Sequence, residues 1–184
     1  MGKSTQARLL ESSLEREGIS SIVEKAPFKD EATYDRIYDM LRTGDALRYP
    51  VVFQTLMGAN RHLFQNRYLP NLAWHNDVVV LDRWNVSTLV YGAESGVSED
   101  TTECILKGLV EPDLVLIFDG KPFPSPDEDD AYEADKAFQS RIRQRYVKWG
   151  NSNPNAMFIQ ANRSQELIQR EIVEAIQVRL KQAR

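Results

Sequence analysis

The chain has 184 residues, 42% of them hydrophobic and 27% charged, a length and mixture that suit one compact domain and exclude a disordered or fibrous protein. Its formal net charge of −4 argues against binding a nucleic-acid polymer, yet it leaves room for a small anionic substrate held by a few converging arginines. No long apolar run and no basic-then-apolar opening is seen, and the single cysteine, Cys104, can form no intrachain disulfide; no membrane span or secretory signal is expected, the compartment is read as cytoplasmic, and Cys104 as a small buried hydrophobe.

From Lys3 to about Glu17, Ala7, Leu10 and Leu14 recur at helical spacing and Gly18 supplies the stop. A short strand over Ser20 to Glu24 follows. Tyr34, Ile37, Tyr38 and Leu41 mark one face of a helix that ends at Gly44, and from Tyr49 to about Ala73 a longer periodic stretch predicts a helix bent or interrupted near Pro70. Asp77 to Asp82 holds the continuous apolar run Val78-Val79-Val80-Leu81, the pattern of a strand covered on both faces.

Helices are predicted at about Val86 to Glu94 and Glu99 to Leu109, then a second apolar strand, Leu114 to Phe118. The stretch Pro122 to Asp130, rich in proline and acid, reads as an exposed loop. Beyond it, Phe138, Ile142, Tyr146 and Trp149 fall at helical spacing, Met157 to Ile159 is a third strand, and Ser164 caps a last helix carrying Ile168, Ile172 and Ile176. Short apolar strands separated by helices imply a parallel sheet wrapped on both faces.

Gly2-Lys3-Ser4-Thr5 opens the first helix and matches the last four positions of the phosphate-loop pattern GxxxxGK[ST]. In that pattern, backbone N–H groups and the helix N-terminus surround a phosphate, the lysine neutralises charge, and the following hydroxyl holds magnesium. Alone the four residues are weak evidence, since serine and threonine are common at any helix start. The intact pattern has a buried strand and a further glycine upstream, so the sequence is expected to begin inside its own phosphate loop.

Four landmarks then appear in order: Gly2 to Gln6; Ala59-Asn60-Arg61 within the long helix; Asp82-Arg83-Trp84 with Ser87, Thr88 and Tyr91; and Pro112-Asp113-Leu114 leading to Phe118-Asp119. A fifth is Tyr132-Glu133 with Phe138, Gln139 and Arg141. Across nearly its whole length the chain resembles the thymidylate kinase family. That resemblance implies one P-loop domain over residues 1–184, a three-layer α/β/α sandwich with a parallel sheet in order 2-3-1-4-5 whose first strand is absent here, and a lid over about residues 120–133.

The resemblance also implies transfer of a phosphoryl group from ATP to a deoxynucleoside monophosphate, most simply dTMP, with Mg2+, by an enzyme that is usually a homodimer. ATP would be held by Gly2, Lys3, Ser4, Thr5 and the region of Asn162. Asp82, ending a buried strand, could hold magnesium together with Ser4, and Arg83 beside it could clamp the acceptor phosphate; the alternative is an ordinary strand-end ion pair. Met57, Asn60 and Arg61 would line the acceptor, although Arg61 could equally be a solvated helix arginine. Ser87 and Tyr91 lie four apart on one helix face and could reach base and sugar, with core packing an alternative for Tyr91.

Two departures bear on base selectivity: Met57 stands where the family usually stacks an aromatic, and Gly92 where a glutamine is common. The lid holds Lys121 but no arginine, so a catalytic arginine would come from the upstream part of the phosphate loop or from Arg141, with Arg143 and Arg145 as further choices and a surface role for all three as the alternative. Two rival functions stay open: a deoxynucleoside kinase, which tends to carry Glu-Arg-Ser where this chain has Asp82-Arg83-Trp84, and a catalytically inactive nucleotide-binding protein.

Overall fold

Glycines in left-handed conformation close the first two helices, Gly18 at φ 71° and Gly44 at φ 78°, where a side chain would be strained. The computed structural model that shows this describes residues 3–29, 31–120 and 135–183. In chain order the elements are α1 (Lys3–Arg16), β1 (Ser21–Lys25), α2 (Tyr34–Thr43), α3 (Asp45–Arg48), α4 (Pro50–Arg67), α5 (Leu69–His75), β2 (Val78–Asp82), α6 (Asn85–Glu94), α7 (Glu99–Leu106), β3 (Val115–Asp119), α8 (Lys136–Asn151), β4 (Ala156–Gln160) and α9 (Gln165–Ala183).

Of the two alternatives for the long stretch from Tyr49, the structure has the interruption: Pro50 opens α4 and Pro70 sits in the first turn of α5, positions that need no backbone N–H, and the chain breaks at Tyr68. Ser98 caps α7 by accepting from the Thr101 N–H, and Asp135 caps α8 by accepting from the Ala137 and Phe138 N–H groups.

Strand β1 pairs in parallel with β2, from Ser21 opposite Val78 to Lys25 opposite Asp82; β3 pairs in parallel with β4, from Val115 opposite Ala156 to Asp119 opposite Gln160. These are the pairings that the order 2-3-1-4-5 requires of its second with third and fourth with fifth strands. Among the described residues β2 and β3 are not hydrogen-bonded to each other, and no central strand joins them.

Both pairs share a core. Leu10 and Leu14 of α1, with Ile168, Ile172 and Ile176 of α9, pack against Val78, Val80, Leu116 and Phe118. A second cluster joins Ile37, Met40, Phe53, Met57, Val86, Val90, Phe138 and Ile142 from α2, α4, α6 and α8. Helices thus cover the strands in layers, an α/β fold.

Two expectations are corrected here. Fully covered strands were expected, but β2 is half-buried throughout and β3 buries only Ile117, because among the described residues each has a strand neighbour on one edge alone. Cys104 is exposed: α7 turns Thr102 inward and carries Cys104 outward.

Candidate active site at the carboxyl end of the strands

Strand β2 ends at Asp82, and the next residue, Arg83, has φ 74°, a left-handed conformation uncommon for a side-chain-bearing residue. The turn is held from both ends. Ala26 donates its N–H to the Asp82 carbonyl at 3.0 Å, and Trp84 is buried, its indole Nε1 donating to the Val110 carbonyl at 2.9 Å. The Trp84 ring meets Phe28 and Phe64 edge-on at 6.2 and 6.5 Å, and those two rings stack on each other. With its neighbours pinned, Arg83 turns its guanidinium toward α6, where Nη1 donates to the Tyr91 hydroxyl at 3.1 Å and Cζ lies 5.2 Å from the Tyr91 ring centroid.

Arg61 reaches the same place from α4. It is 1% exposed, its Nη1 donates to Thr88 Oγ1 at 2.5 Å, and among the described residues its buried Nε has no hydrogen-bond partner. Burial pulls its pKa down to about 10, partly opposed by Tyr146 and reinforced by Arg83. Arg83 is shifted the other way: Tyr91 beside it favours the cation, outweighing the cost of burial. Ser87 is buried, and its Oγ lies 3.0 Å from the Tyr146 hydroxyl. Enclosure pushes the Tyr146 phenol up to about 12, so at neutral pH it is an uncharged hydroxyl.

Arg61, Arg83, Ser87 and Tyr91, read singly from the sequence, are thus brought into one enclosed cluster, with Met57 buried in the hydrophobic core along the same face of α4. The solvated alternative for Arg61 is set aside by its burial. Tyr146 was read from its spacing as core only; its position on an otherwise apolar stripe, carrying a hydroxyl that needs a partner when buried, was the available signal.

Asn60 is not in the cluster. Its Oδ1 accepts from the Phe28 N–H at 2.7 Å, and its Nδ2 donates to the Phe28 carbonyl and to Thr33 Oγ1, each at 3.1 Å. The amide is engaged in shaping the loop after β1.

The arginines of α8 are also engaged. Arg141 pairs with a Glu94 oxygen and lies over the Phe138 ring, Arg145 reaches the other Glu94 oxygen at 2.6 Å, and Arg143 meets both Asp119 oxygens at 2.5 and 2.9 Å. Burial would raise the Glu94 carboxyl, but the two arginines outweigh it and hold it below its ordinary range; hydrogen bonding from Arg143 does the same for Asp119. Arg141 thus clamps α8 on α6 through Glu94.

At the second strand pair, Gly120 follows β3 so closely against the Ala161-Asn162 loop that a Cβ there would come within 2.8 Å of Asn162 Oδ1 and 3.0 Å of the Ala161 methyl. Thr5 lies in the first turn of α1, whose N-terminus begins at Lys3. Gly2, the side chains of Lys3 and Ser4, and residues 121–134, which hold most of the expected lid with Lys121, Tyr132 and Glu133, lie outside the described residues. A cavity of about 330 Å³ is lined by Leu114, Ala156, Met157 and Val178 at the opposite ends of β3 and β4, away from all these groups.

A magnesium site built here would draw on Asp82 and on the hydroxyl of Ser4, the second residue of α1. That set suits the ion, which retains several waters and takes one or two carboxylates with substrate phosphates.

A family model described as thymidylate kinase matches residues 1–172. The chain is similar to a thymidylate kinase of Caldanaerobacter subterraneus subsp. tengcongensis, 27% identical over 197 residues that cover 100% of this chain and 93% of that protein. It is also similar to a protein named "Probable thymidylate kinase" from Thermococcus gammatolerans, 28% identical over 189 residues covering 96% and 90%. In fold it is similar to the solved thymidylate kinase of Candida albicans, with a TM-score of 0.74 at 21% identity, covering 96% of this chain and 86% of that one.

Proposed function

The chain belongs to the thymidylate kinase family, and on that premise we propose that it transfers the γ-phosphoryl group of ATP to a deoxynucleoside monophosphate, dTMP before others. The observation that carries this reading is the pair of buried Arg61 and half-buried Arg83 beside the carboxyl end of β2. Two guanidiniums brought to one place, the buried one with an unpaired Nε among the described residues, are costly unless an anion joins them. A monophosphate supplies that anion, and bidentate arginine contacts would fix its orientation.

In this reading the residues divide the work. Arg83 and Arg61 hold the acceptor phosphate in line with the donor, Tyr91 keeps Arg83 in place, and Ser87 with Tyr146 borders the sugar and base. Lys3 and the N–H groups opening α1 neutralise the donor phosphates, and the Asn162 loop with Gly120 borders the adenine. Ser4 and Asp82 would hold magnesium, which would neutralise charge on the transferring phosphates. No general base is required, because an acceptor phosphate is already an anion near neutral pH.

An exposed apolar band, Leu47, Tyr49, Val51 and Val52, at the start of α4 supports a homodimer, to be checked by sedimentation. The exposed free thiol of Cys104 suits a reducing compartment, the cytoplasm. Among the described residues no helix is long and apolar enough to cross a membrane.

The test is a coupled assay of ADP release with ATP, magnesium and each deoxynucleoside monophosphate in turn. Turnover with dTMP above the other monophosphates is the expected result. Absence of transfer to any monophosphate overturns the reading.

A further inference from the structure

Gln6 of α1 and Gln169 of α9 are 5% and 8% exposed, and their amides meet between the two helices. Gln169 Nε2 donates to the Gln6 main-chain carbonyl at 2.9 Å and to Gln6 Oε1 at 2.5 Å. A main-chain carbonyl only accepts, so the atom facing it is the amide nitrogen. Gln169 Oε1 is then left buried, with no hydrogen-bond partner among the described residues. A leucine or methionine of similar volume, set beside Ile168, Ile172 and Val173, would carry no such cost. Packing alone therefore does not account for the amide.

Its place in the fold does. Gln6 lies in the first turn of α1, three residues after Lys3, and Gln169 is the fifth residue of α9. Ser164 opens α9: its hydroxyl accepts from the Leu167 N–H at 3.4 Å and its carbonyl from the Ile168 N–H at 3.1 Å. Further along, Gln177 Nε2 donates to Glu17 Oε2 at 3.2 Å, so the two helices run parallel with both N-termini at one end. The loop 161–164 is in turn anchored to β3, where the Ala161 N–H donates to the Asp119 carbonyl at 2.7 Å. The buried amide pair thus joins the opening turn of α1 to the helix that carries the Asn162 loop.

We propose that Gln169 is a positioning residue for the phosphoryl donor: through Gln6 it holds the opening turn of α1 at a fixed span from the loop 161–164, so that one nucleotide makes its phosphate and base contacts together; this rests on the kinase reading above. A ligand gripped at both ends gains from the second grip only while the two are kept at the span that the ligand bridges. A ligand that reaches one end alone gains nothing from the tie. The tie involves no residue of α4 or α6, so the acceptor side should not feel its loss.

The experiment compares wild type with Gln169→Leu, which keeps the volume and removes the amide. It reads the KM for ATP and for dTMP, thermal melts, and dissociation constants by calorimetry for ADP, which spans both ends, and for adenosine and inorganic pyrophosphate, which each reach one. The ATP KM and the ADP dissociation constant should rise about 10-fold. The dTMP KM and the adenosine and pyrophosphate constants should stay within about twofold, and the melting temperature should not fall, since a buried unpaired oxygen is removed.

An ADP constant within about twofold of wild type overturns the proposal, and a lowered melting temperature beside it marks Gln169 as a packing residue. Equal losses for ADP, adenosine and pyrophosphate also overturn it, because they report a collapsed site and not a lost span. A wild type that phosphorylates no monophosphate overturns the kinase reading, whereas the ADP comparison needs no turnover and still decides the role of Gln169. Should Gln169→Leu fail to melt cooperatively, Gln169→Met is read by the same limits.

Discussion

Arg61 donates to Thr88 across 2.5 Å with both side chains enclosed, so the middle of α4 is tied to α6 by a cation whose Nε is left unpaired among the described residues. Such a group is stabilised when an anion arrives. Replacing Arg61 with Ala should lower kcat/KM for the monophosphate by roughly 100-fold, about 3 kcal/mol, while leaving the ATP KM nearly constant. Lysine should not rescue it, because one ammonium cannot hold Thr88 and a phosphate in the same plane. Steady-state kinetics with each substrate varied in turn checks this.

Asn60, next in the chain to Arg61, serves the loop instead. Asn60→Ala removes the partner of the Phe28 N–H and one of two donors to the Phe28 carbonyl, which keeps the Glu31 N–H, and the unsatisfied buried N–H should cost about 1–3 kcal/mol. Urea unfolding of the variant, with an unchanged m-value, measures the loss.

Helices α4 and α7 approach most closely at Gly58, where a Cβ would stand 2.4 Å from Ile105 Cγ2 and 3.4 Å from the Ile105 carbonyl oxygen. Gly58→Val should therefore destabilise by about 1–3 kcal/mol through overpacking. Adding Ile105→Ala should recover part of that loss, so the double-mutant cycle should give a coupling of stabilising sign.

Glu94 receives Arg141 and Arg145 together, and its folded pKa lies below the ordinary carboxylate value. A carboxyl with a depressed folded pKa contributes stability above its unfolded pKa and loses it as the pH falls through the folded value. Glu94→Gln should thus destabilise at pH 7 and flatten the decline of stability below about pH 4.5. Because both arginine heads are about half exposed, the effect at pH 7 should stay under about 1 kcal/mol. Thermal melts of both proteins between pH 3 and 7 check the sign and the window.

The sequence by itself determined most of the secondary structure and placed Asp82-Arg83 at the end of a strand. The turn chemistry at Gly18 and Gly44, the apolar runs of β2 and β3, and the 3.6-residue stripe from Phe138 to Trp149 are local signals, each complete within a few residues. Asp82-Arg83 was legible for the same reason, since a charged pair ending an apolar strand is visible without knowing what it meets.

Only the tertiary structure decided the partners. Arg61 meets Thr88 at a separation of 27 residues, Ser87 meets Tyr146 at 59, and Arg141 meets Glu94 at 47. Adjacent Asn60 and Arg61 turn to different tasks because successive helical positions face about 100° apart, toward different neighbours. Whether a polar side chain stands free, is buried or is paired depends on which elements are packed against it, and periodicity along a single element carries no record of that.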